Sequence, residues 1–250
     1  MGDLAWWMLA ASGAVLLIAG VVTARRPAHA APSRAEHLRQ WSAAHGGFDP
    51  GGNVLVARWL AVIRSIATVP ARWGVAPYVL TLAGVWLAGA AVVVAGEGGR
   101  VVACAALLVA ANGVFDGLDG AVAILTGRVG HRGRLIDSAA DRVSDGLLLV
   151  ALVVCTDGVA ASVAAAAVAA VAVLGLEGTR AWFLAKGDLG PLTPGERPTR
   201  LILTGLGLIA AGVVPQHADA IASIALAVIA AVVAVSWVLL LGELRRQPGR

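Results

Sequence analysis

Four aspartates lie close together near the middle of this 250-residue chain and are its clearest candidates for chemistry. Asp116 and Asp119 are three residues apart, and Asp137 and Asp141 are four residues apart. On helices, both spacings place the two carboxylates of a pair on one face. Apolar runs flank both pairs, so the acids are predicted to lie near a membrane boundary, where an uncompensated carboxylate is costly. Because few basic residues share these faces, a bound divalent cation is the natural compensation.

The elements that carry these acids are predicted to be membrane-spanning helices. The sequence is 59% hydrophobic and 14% charged, and its mean hydropathy is +0.83. Several apolar runs approach or exceed the roughly 20 residues that cross the hydrocarbon core, and no alternating strand pattern is present. We therefore expect an all-α, polytopic membrane helix bundle. The net charge of +4 is modest, and we expect membrane lipids, and no nucleic acid, as partners.

Seven spans are predicted, and the two acidic pairs fall at the end of the third and the start of the fourth. The predicted spans are residues 4–23, 77–96, 101–125, 135–154, 159–176, 201–214 and 220–241. Before the second span, Asn53 is predicted to cap an amphipathic helix that ends near Val69. Its predicted apolar face consists of Leu55, Trp59, Val62 and Ile66. We expect this helix to lie in the headgroup layer, and a cytosolic helix packed on the bundle is the alternative.

The first span is predicted to be an extra N-terminal membrane anchor. The expected organisation is an anchor over residues 1–26, a polar linker over 27–52 and a membrane domain over 53–246. Ala28-His29-Ala30 is similar to a signal-peptidase site, so cleavage of the first span is the alternative. However, only Asp3 is charged before the apolar run, whereas a signal peptide begins with a positive region.

Basic residues fall on alternate loops, which predicts the orientation in the membrane. By the positive-inside rule, the acidic cluster faces the cytoplasm and the N-terminus lies outside. The loops predicted to be cytoplasmic hold Arg25, Arg26, Arg128, Arg132, Arg134, Arg180, Lys186, Arg197, Arg200, Arg245 and Arg246. The opposite loops hold Arg100 as their one basic residue.

The stretch from Asp116 to Asp141 resembles the signature of the CDP-alcohol phosphotransferase family. That signature reads Asp-x2-Asp-Gly-x2-Ala-Arg-x8-Gly-x3-Asp-x3-Asp. The chain matches it in residue and spacing at Asp116, Asp119, Gly120, Ala123, Gly133, Asp137 and Asp141. Ile124 departs from it, because the family has arginine there. Residues 141–146 and 196–200 are most similar to the actinobacterial phosphatidylinositol phosphate synthases of this family.

The resemblance implies an integral membrane transferase with six family-like transmembrane helices, in addition to the extra first span and the interfacial helix. It would sit in the cell membrane with its active site at the cytoplasmic face. It would move a substituted phosphate group, most simply phosphatidyl, from a CDP-alcohol such as CDP-diacylglycerol to an acceptor alcohol and release CMP. Inositol phosphate is the first choice of acceptor and glycerol 3-phosphate the second. Mg²⁺ is the expected cofactor, with Mn²⁺ as a substitute, and a homodimer is a further implication.

The resemblance also implies roles for the matched positions. The implied metal ligands are Asp116, Asp119, Asp137 and Asp141, and Asp141 would also be the general base. A structural cation site is the alternative for these acids. Three small residues would leave room for the nucleotide, namely Gly120, Ala123 and Gly133. Helix–helix packing is the alternative for Gly120.

Further substrate contacts are implied outside the signature. Thr81 lies where the family contacts the cytidine end of the donor. Arg128, one helical turn after Ile124, would replace the missing arginine if the helix continues that far. Clustered arginines bind phosphate strongly, and the candidates for the acceptor's phosphate are Arg180, Arg197 and Arg200. Loop charges that only set the topology are the alternative for these arginines.

Two other functions stay open on the sequence alone. Prenyltransferases of the aromatic-acceptor type also place Asp-rich motifs on membrane helices and use Mg²⁺, and residues 112–119 are faintly similar to such a motif. Their two acidic motifs are widely separated, whereas Asp119 and Asp137 are close here. The second alternative is a non-catalytic member of the family, in which Ile124 marks the loss of activity.

Overall fold

The computed structural model describes residues 3–24, 31–44, 47–156, 158–188 and 190–246, and these residues form helices and connecting turns without a strand. The α-helices are α1 (Asp3–Thr23), α2 (Arg34–Ala44), α3 (Val54–Arg72), α4 (Pro77–Ala95), α5 (Val102–Leu125), α6 (His131–Val153), α7 (Ala160–Ala185), α8 (Arg197–Val213) and α9 (Ala218–Arg246). Short 3-10 turns occupy Pro50–Gly52, Gly99–Val101, Val154–Thr156 and Pro215–His217. The all-α prediction is confirmed. Arg25, Arg26 and the Ala28-His29-Ala30 site lie outside the described residues.

Six helices of the described chain are long and apolar enough to cross a membrane, by length and composition. They are α1, α3, α4, α5, α7 and α9. The predicted spans in α6 and α8 do not reach the same threshold, because charged residues crowd the first half of α6 and α8 has only 17 residues. Both still bury apolar side chains, including Leu152 and Leu208. The protein is a multi-pass membrane protein, and the seven-span arrangement stays a prediction.

The chain divides into two compact units whose boundaries fall inside α1, α4, α5 and α6. The aspartate unit comprises Trp6–Trp86 and Ala111–Asp141, and the arginine unit comprises Met1–Ala5, Leu87–Ala110 and Arg142–Arg250. Each unit has its own cluster of buried apolar residues. We describe them separately.

In the aspartate unit, helix α3 packs against the part of α5 that carries the first acidic pair. Asn53 caps α3 as predicted, because its side chain accepts hydrogen bonds from the backbone N–H groups of Leu55 and Val56 at 3.0 and 3.3 Å. Ile63 is 1% exposed and fills the space beside Gly117, where a Cβ atom would lie 3.4 Å away. This contact fixes the position of α5 next to Asp116.

The apolar row predicted for α3 is exposed in the structure. The predicted residues are between 45% and 77% exposed, and they are Leu55, Trp59, Val62 and Ile66. Instead, a second apolar row is buried, formed by Leu60, Ile63, Ala67 and Ala71. A helix with one packed and one exposed apolar row suits a bundle whose outside is covered by lipid. The place of α3 in the headgroup layer stays a prediction.

Helix α1 packs on α4 through a specific contact. The indole Nε1 of Trp86 donates to the carbonyl of Leu9 at 3.0 Å and lies 3.2 Å from the Ser12 hydroxyl. Gly13 makes room for the indole, because a Cβ atom there would lie 3.0 Å from the ring. Residues on the other side of α1, such as Trp7, are largely exposed. These contacts favour a retained anchor, which stays a prediction.

A short helix in the predicted linker was not foreseen. Helix α2 docks on α3, because the Arg64 guanidinium donates to the Pro32 carbonyl at 2.9 Å and His37 is 1% exposed. Burial, together with the nearby charge of Arg64, lowers the pKa of His37. Helix α2 is predominantly polar, so its sequence gives little apolar periodicity from which to predict it.

Several predicted loops are shorter than expected, and the functional candidates in them lie on helices. Helix α7 runs to Ala185 and not to residue 176, so Arg180 is helical. Glycine is common in membrane helices, and Gly178 does not end α7; the chain leaves it at Gly187, which has a φ of +76°. Likewise, α6 begins at His131, so Gly133 lies in its first turn.

The arginine unit is held together by close packing of α7, α8 and α9. Among the described glycines of this unit, Gly212 of α8 lies closest to another backbone, since a Cβ atom there would lie 2.3 Å from the backbone nitrogen of Ala103. We predict that Gly212→Ala destabilises the protein by about 1–3 kcal/mol, because the added methyl group must push α8 away from Ala103. The measurement is the Tm in detergent.

Gly205 is the matched control on the same helix, because nothing lies within 4 Å of a Cβ atom built there. Gly205→Ala is expected to leave the Tm unchanged or to raise it slightly. Equal Tm values for the two variants would contradict the packing described for α8.

Candidate metal centre

The turn between α5 and α6 brings the two acidic pairs together. Helix α5 ends at Leu125 because Gly127 adopts a left-handed conformation with a φ of +65°. The backbone N–H of Arg128 then donates to the Ala123 carbonyl at 2.8 Å, which closes the helix end. Helix α6 starts three residues later at His131. The C-terminal half of α5 and the first turns of α6 therefore belong to one compact unit.

Three of the four predicted metal ligands converge. Asp116, Asp137 and Asp141 each offer a carboxylate oxygen, and these oxygens lie within 4.8 Å of one another. All three side chains are half-buried. Hard, anionic oxygen donors are the ligands that Mg²⁺ and Mn²⁺ prefer, so the donor set fits the cation that the sequence predicted. We call these three residues the aspartate triad.

Asp119, the fourth predicted ligand, lies outside the triad. It is 5% exposed, and its Oδ2 accepts a hydrogen bond from the Thr81 hydroxyl at 2.5 Å. Its Oδ1 accepts the backbone N–H of Gly120 at 2.5 Å. It lies one helical turn after Asp116 on α5. The sequence spacing placed Asp119 correctly on the helix, but the spacing does not specify the direction in which its carboxylate turns.

The small residues of the signature border open space. Within the described part of the chain, no heavy atom of a neighbouring element lies within 4 Å of a Cβ atom built on Gly120 or Gly133, so packing among these residues does not require glycine at either position. Ala123 is half-buried. Ile124 is 6% exposed, and its side chain is therefore packed inside the protein where the family carries an arginine.

Arg128 does not lie on helix α5, although its predicted role depended on the helix reaching it. The helix does not continue to this residue, because α5 ends at Leu125 and the chain turns at Gly127. The Arg128 guanidinium instead donates to the carbonyl of Gly74, in the turn between α3 and α4, at 3.2 Å. Arg128 thus lies on a loop of the aspartate unit and not on α5, the helix that carries Ile124.

In the arginine unit, Arg200 is enclosed by carboxylates. It is 5% exposed, and its Nη2 donates to Asp145 Oδ2 and to Glu177 Oε1, each at 2.9 Å. Its Nη1 donates to the Gly195 carbonyl at 2.7 Å. Glu177 also pairs with Arg142 at 3.2 Å. Arg200 therefore lies on α8 in a buried ion network, and not in the loop that the sequence predicted.

The other two predicted phosphate-binding arginines belong to the same unit and also face carboxylates. Arg180 pairs with Glu196 and donates to the Pro191 carbonyl at 3.0 Å. Arg197 lies 3.9 Å from Asp145 Oδ1. The pairing of these arginines with Glu196 and Glu177 was not predicted. The sequence signal for it is an acid that follows an apolar run, such as Glu177, because a carboxylate there needs a partner.

A family model and several solved structures match this chain. The family model for CDP-alcohol phosphatidyltransferases matches residues 74–238. The phosphatidylinositol phosphate synthase PgsA1 of Mycobacterium tuberculosis with CDP-DAG bound has a TM-score of 0.64 and 25% identity, covering 76% of this chain and 96% of that one. Its complex with manganese and citrate has a TM-score of 0.63 and 25% identity, covering 75% and 90%. No curated protein sequence matches at the required significance.

The aspartate triad makes a direct prediction about metal affinity. We predict that Asp116→Asn weakens Mn²⁺ binding by at least about tenfold, because it replaces one of three anionic donors with a neutral amide. The measurement is electron paramagnetic resonance of free Mn²⁺ over a titration of purified protein in detergent. Asp219→Asn, at an exposed position on α9, is the control and should leave the affinity unchanged. Equal affinities for the two variants would remove Asp116 from the metal centre.

Proposed function

Because the chain belongs to the CDP-alcohol phosphatidyltransferase family, we propose that it transfers the phosphatidyl group of CDP-diacylglycerol to an acceptor alcohol and releases CMP. The observation that carries this proposal is the convergence of Asp116, Asp137 and Asp141. CDP-DAG in a similar mycobacterial structure supports the choice of donor. Manganese in another supports a divalent cation, with Mg²⁺ proposed as the natural ion. Membership of this family is not compatible with the prenyltransferase alternative.

The protein must neutralise the donor's diphosphate, align the acceptor hydroxyl and accept its proton. The acceptor oxygen attacks the phosphorus that carries the diacylglycerol, and the bond from that phosphorus to the oxygen of CMP breaks. Asp141 takes the hydroxyl proton, and CMP leaves with the bonding electrons on its phosphate oxygen. A divalent cation held by the aspartate triad would supply positive charge against the diphosphate.

Donor binding is proposed at the open side of α5 and the start of α6. The space beside Gly120 and Gly133 supports this, because no protein atom occupies it near either backbone. The small side chain of Ala123 would leave room for the donor on the same side of α5. The cytidine end would lie near Thr81 at the start of α4. Arg128 would approach the diphosphate from its loop.

The acceptor is proposed to be a small phosphorylated polyol, with inositol phosphate first and glycerol 3-phosphate second. The arginines proposed for its phosphate are Arg180, Arg197 and Arg200. Because carboxylates already face all three arginines, an incoming phosphate must compete with them for the same guanidinium donors. Acceptor binding is therefore expected to require rearrangement of these ion pairs.

We further propose a seven-span protein of the cell membrane with its N-terminus outside and the aspartate triad at the cytoplasmic face. The first span would remain attached as an anchor before the linker and the membrane domain. The distribution of arginines along the sequence supports this orientation. A homodimer is proposed from the family resemblance.

The experiment that tests the function is CMP release from CDP-diacylglycerol by purified protein in mixed micelles with Mg²⁺. Candidate acceptors are added one at a time, with unphosphorylated inositol as the comparison for the phosphate requirement. CMP release with one acceptor supports the proposal and identifies that acceptor. If no acceptor gives CMP, the chain is a non-catalytic member of the family, which is the alternative that Ile124 raised.

Asp141 is the residue to change in the same assay. We predict that Asp141→Asn lowers kcat by at least about a hundredfold, because an amide cannot take the proton of the acceptor hydroxyl. Donor binding should persist, since the remaining acids and the nucleotide contacts are kept. Glu243→Gln in the last turns of α9 is a control for loss of a charge. Full activity of Asp141→Asn would reject the assignment of the base.

Arg128 tests whether a loop arginine takes the place left by Ile124. We predict that Arg128→Ala weakens binding of the CDP-alcohol by roughly tenfold, the effect of losing one charge-assisted hydrogen bond. The measurement is the Kd for a soluble CDP-alcohol analogue. Arg132→Ala is the control, because this side chain is exposed in the first turn of α6. An unchanged Kd in Arg128→Ala would limit its role to tethering the Gly74 turn.

A further inference from the structure

Thr81 connects helix α4 to the candidate metal centre by a buried hydrogen bond. Its side chain is 8% exposed, and its hydroxyl lies 2.5 Å from Asp119 Oδ2 and 3.3 Å from the carbonyl of Pro77. A hydroxyl has one proton to donate, and the shorter of its two contacts, to Asp119, is the stronger one. The contact to the carbonyl four residues earlier, which is usual for a helical threonine, is the longer and weaker of the two.

Asp119 is held at both oxygens, because Oδ1 accepts the Gly120 N–H while Oδ2 accepts the Thr81 hydroxyl. It is nearly as buried as the apolar residues around it, at 5% exposure. Asp119 lies one helical turn after Asp116, on the same face of α5. The two hydrogen bonds fix the direction of its carboxylate. Thr81 and Gly120 therefore hold Asp119 in one orientation beside the triad.

We propose that Thr81 is a positioning residue for cation binding, which holds Asp119 beside the aspartate triad and so raises the affinity of the triad for a divalent cation. This rests on the proposed function of the triad as a metal centre. Groups that hydrogen-bond to the carboxylates of a metal site typically change metal affinity by about 10–100-fold. The role differs from the contact with cytidine that the resemblance implies, because it acts through Asp119 and needs no nucleotide.

The test is Mn²⁺ affinity in the absence of any nucleotide, measured by titration calorimetry on the purified full chain. Thr81→Val removes the hydroxyl and keeps the branched shape, and we expect its Mn²⁺ affinity to fall by about tenfold. Thr81→Ser keeps the hydroxyl and should retain the affinity within about twofold. Thr126→Val is the matched control, since Thr126 is also buried and its hydroxyl donates to the Val122 carbonyl at 2.7 Å.

A double-mutant cycle separates positioning from general damage. In an Asp119→Asn background, Thr81→Val should cause no further loss of Mn²⁺ affinity, because its target carboxylate is already removed. Thr81→Ala is a second variant without the hydroxyl. The thermal unfolding of both variants is compared with that of the wild type, and Mn²⁺ affinity is interpreted for whichever variant is folded.

Unchanged Mn²⁺ affinity in a folded variant without the hydroxyl would overturn the proposal, and so would an equal loss in Thr126→Val. A raised KM for the CDP-lipid at unchanged Mn²⁺ affinity would also overturn it, because Thr81 would then contact the nucleotide directly. Failure of the proposed function is a separate result. It would appear as absent CMP release by the wild type, while the dependence of Mn²⁺ affinity on Thr81 persisted.

Discussion

Mutual repulsion of carboxylates in apolar surroundings is the constraint on which the aspartate unit depends. A carboxylate within a membrane helix costs about 2.5–3.5 kcal/mol even on the lenient insertion scale, and this unit gathers four of them on α5 and α6. Three converge within 4.8 Å, an arrangement that is favourable when a cation supplies the opposite charge. The fourth, Asp119, is stabilised by donors from Thr81 and Gly120. The three converging acids are the ones proposed to hold a cation, while Asp119 accepts hydrogen bonds from neutral groups.

The arginine unit also buries charged groups in apolar surroundings, and ion pairs inside the protein compensate their charges. Arg200 shares one nitrogen between Asp145 and Glu177, and Arg142 completes the network through Glu177. Buried ion pairs of this kind add little net stability, but removing one partner is costly because a charge is left unpaired. The arginines are therefore held in place by carboxylates, and any anion that binds them replaces an existing partner.

Most of the helices and the main site could be predicted from the sequence, because both follow from local spacing. The apolar runs are continuous, Asn53 is a strong N-cap, and the spacing between Asp137 and Asp141 places both on one face of α6. The errors have different causes. Helix α2 is too polar to show periodicity, and α7 continues through Gly178 because glycine does not break a packed membrane helix. The second, buried row of α3 was not predicted, because it packs at Gly117 of α5, which lies far away in the sequence.

The directions of the side chains at the site also could not be predicted from the sequence. The turn of Asp119 toward Thr81 and the enclosure of Arg200 by carboxylates both depend on which helices pack together. Spacing along one helix says which residues share a face, but not which neighbour supplies a donor. Arg128 lies off the helix for a local reason, since α5 ends at Leu125 and the chain turns at Gly127.

We propose that Asp116, Asp137 and Asp141 together hold one divalent cation. Anomalous diffraction at the manganese edge, from crystals grown with Mn²⁺, locates such an ion. We expect a peak at coordination distance, about 2.0–2.6 Å, from an oxygen of each of the three residues. A structure with Mn²⁺ bound elsewhere, or with these carboxylates turned away from one another and no peak between them, would contradict it.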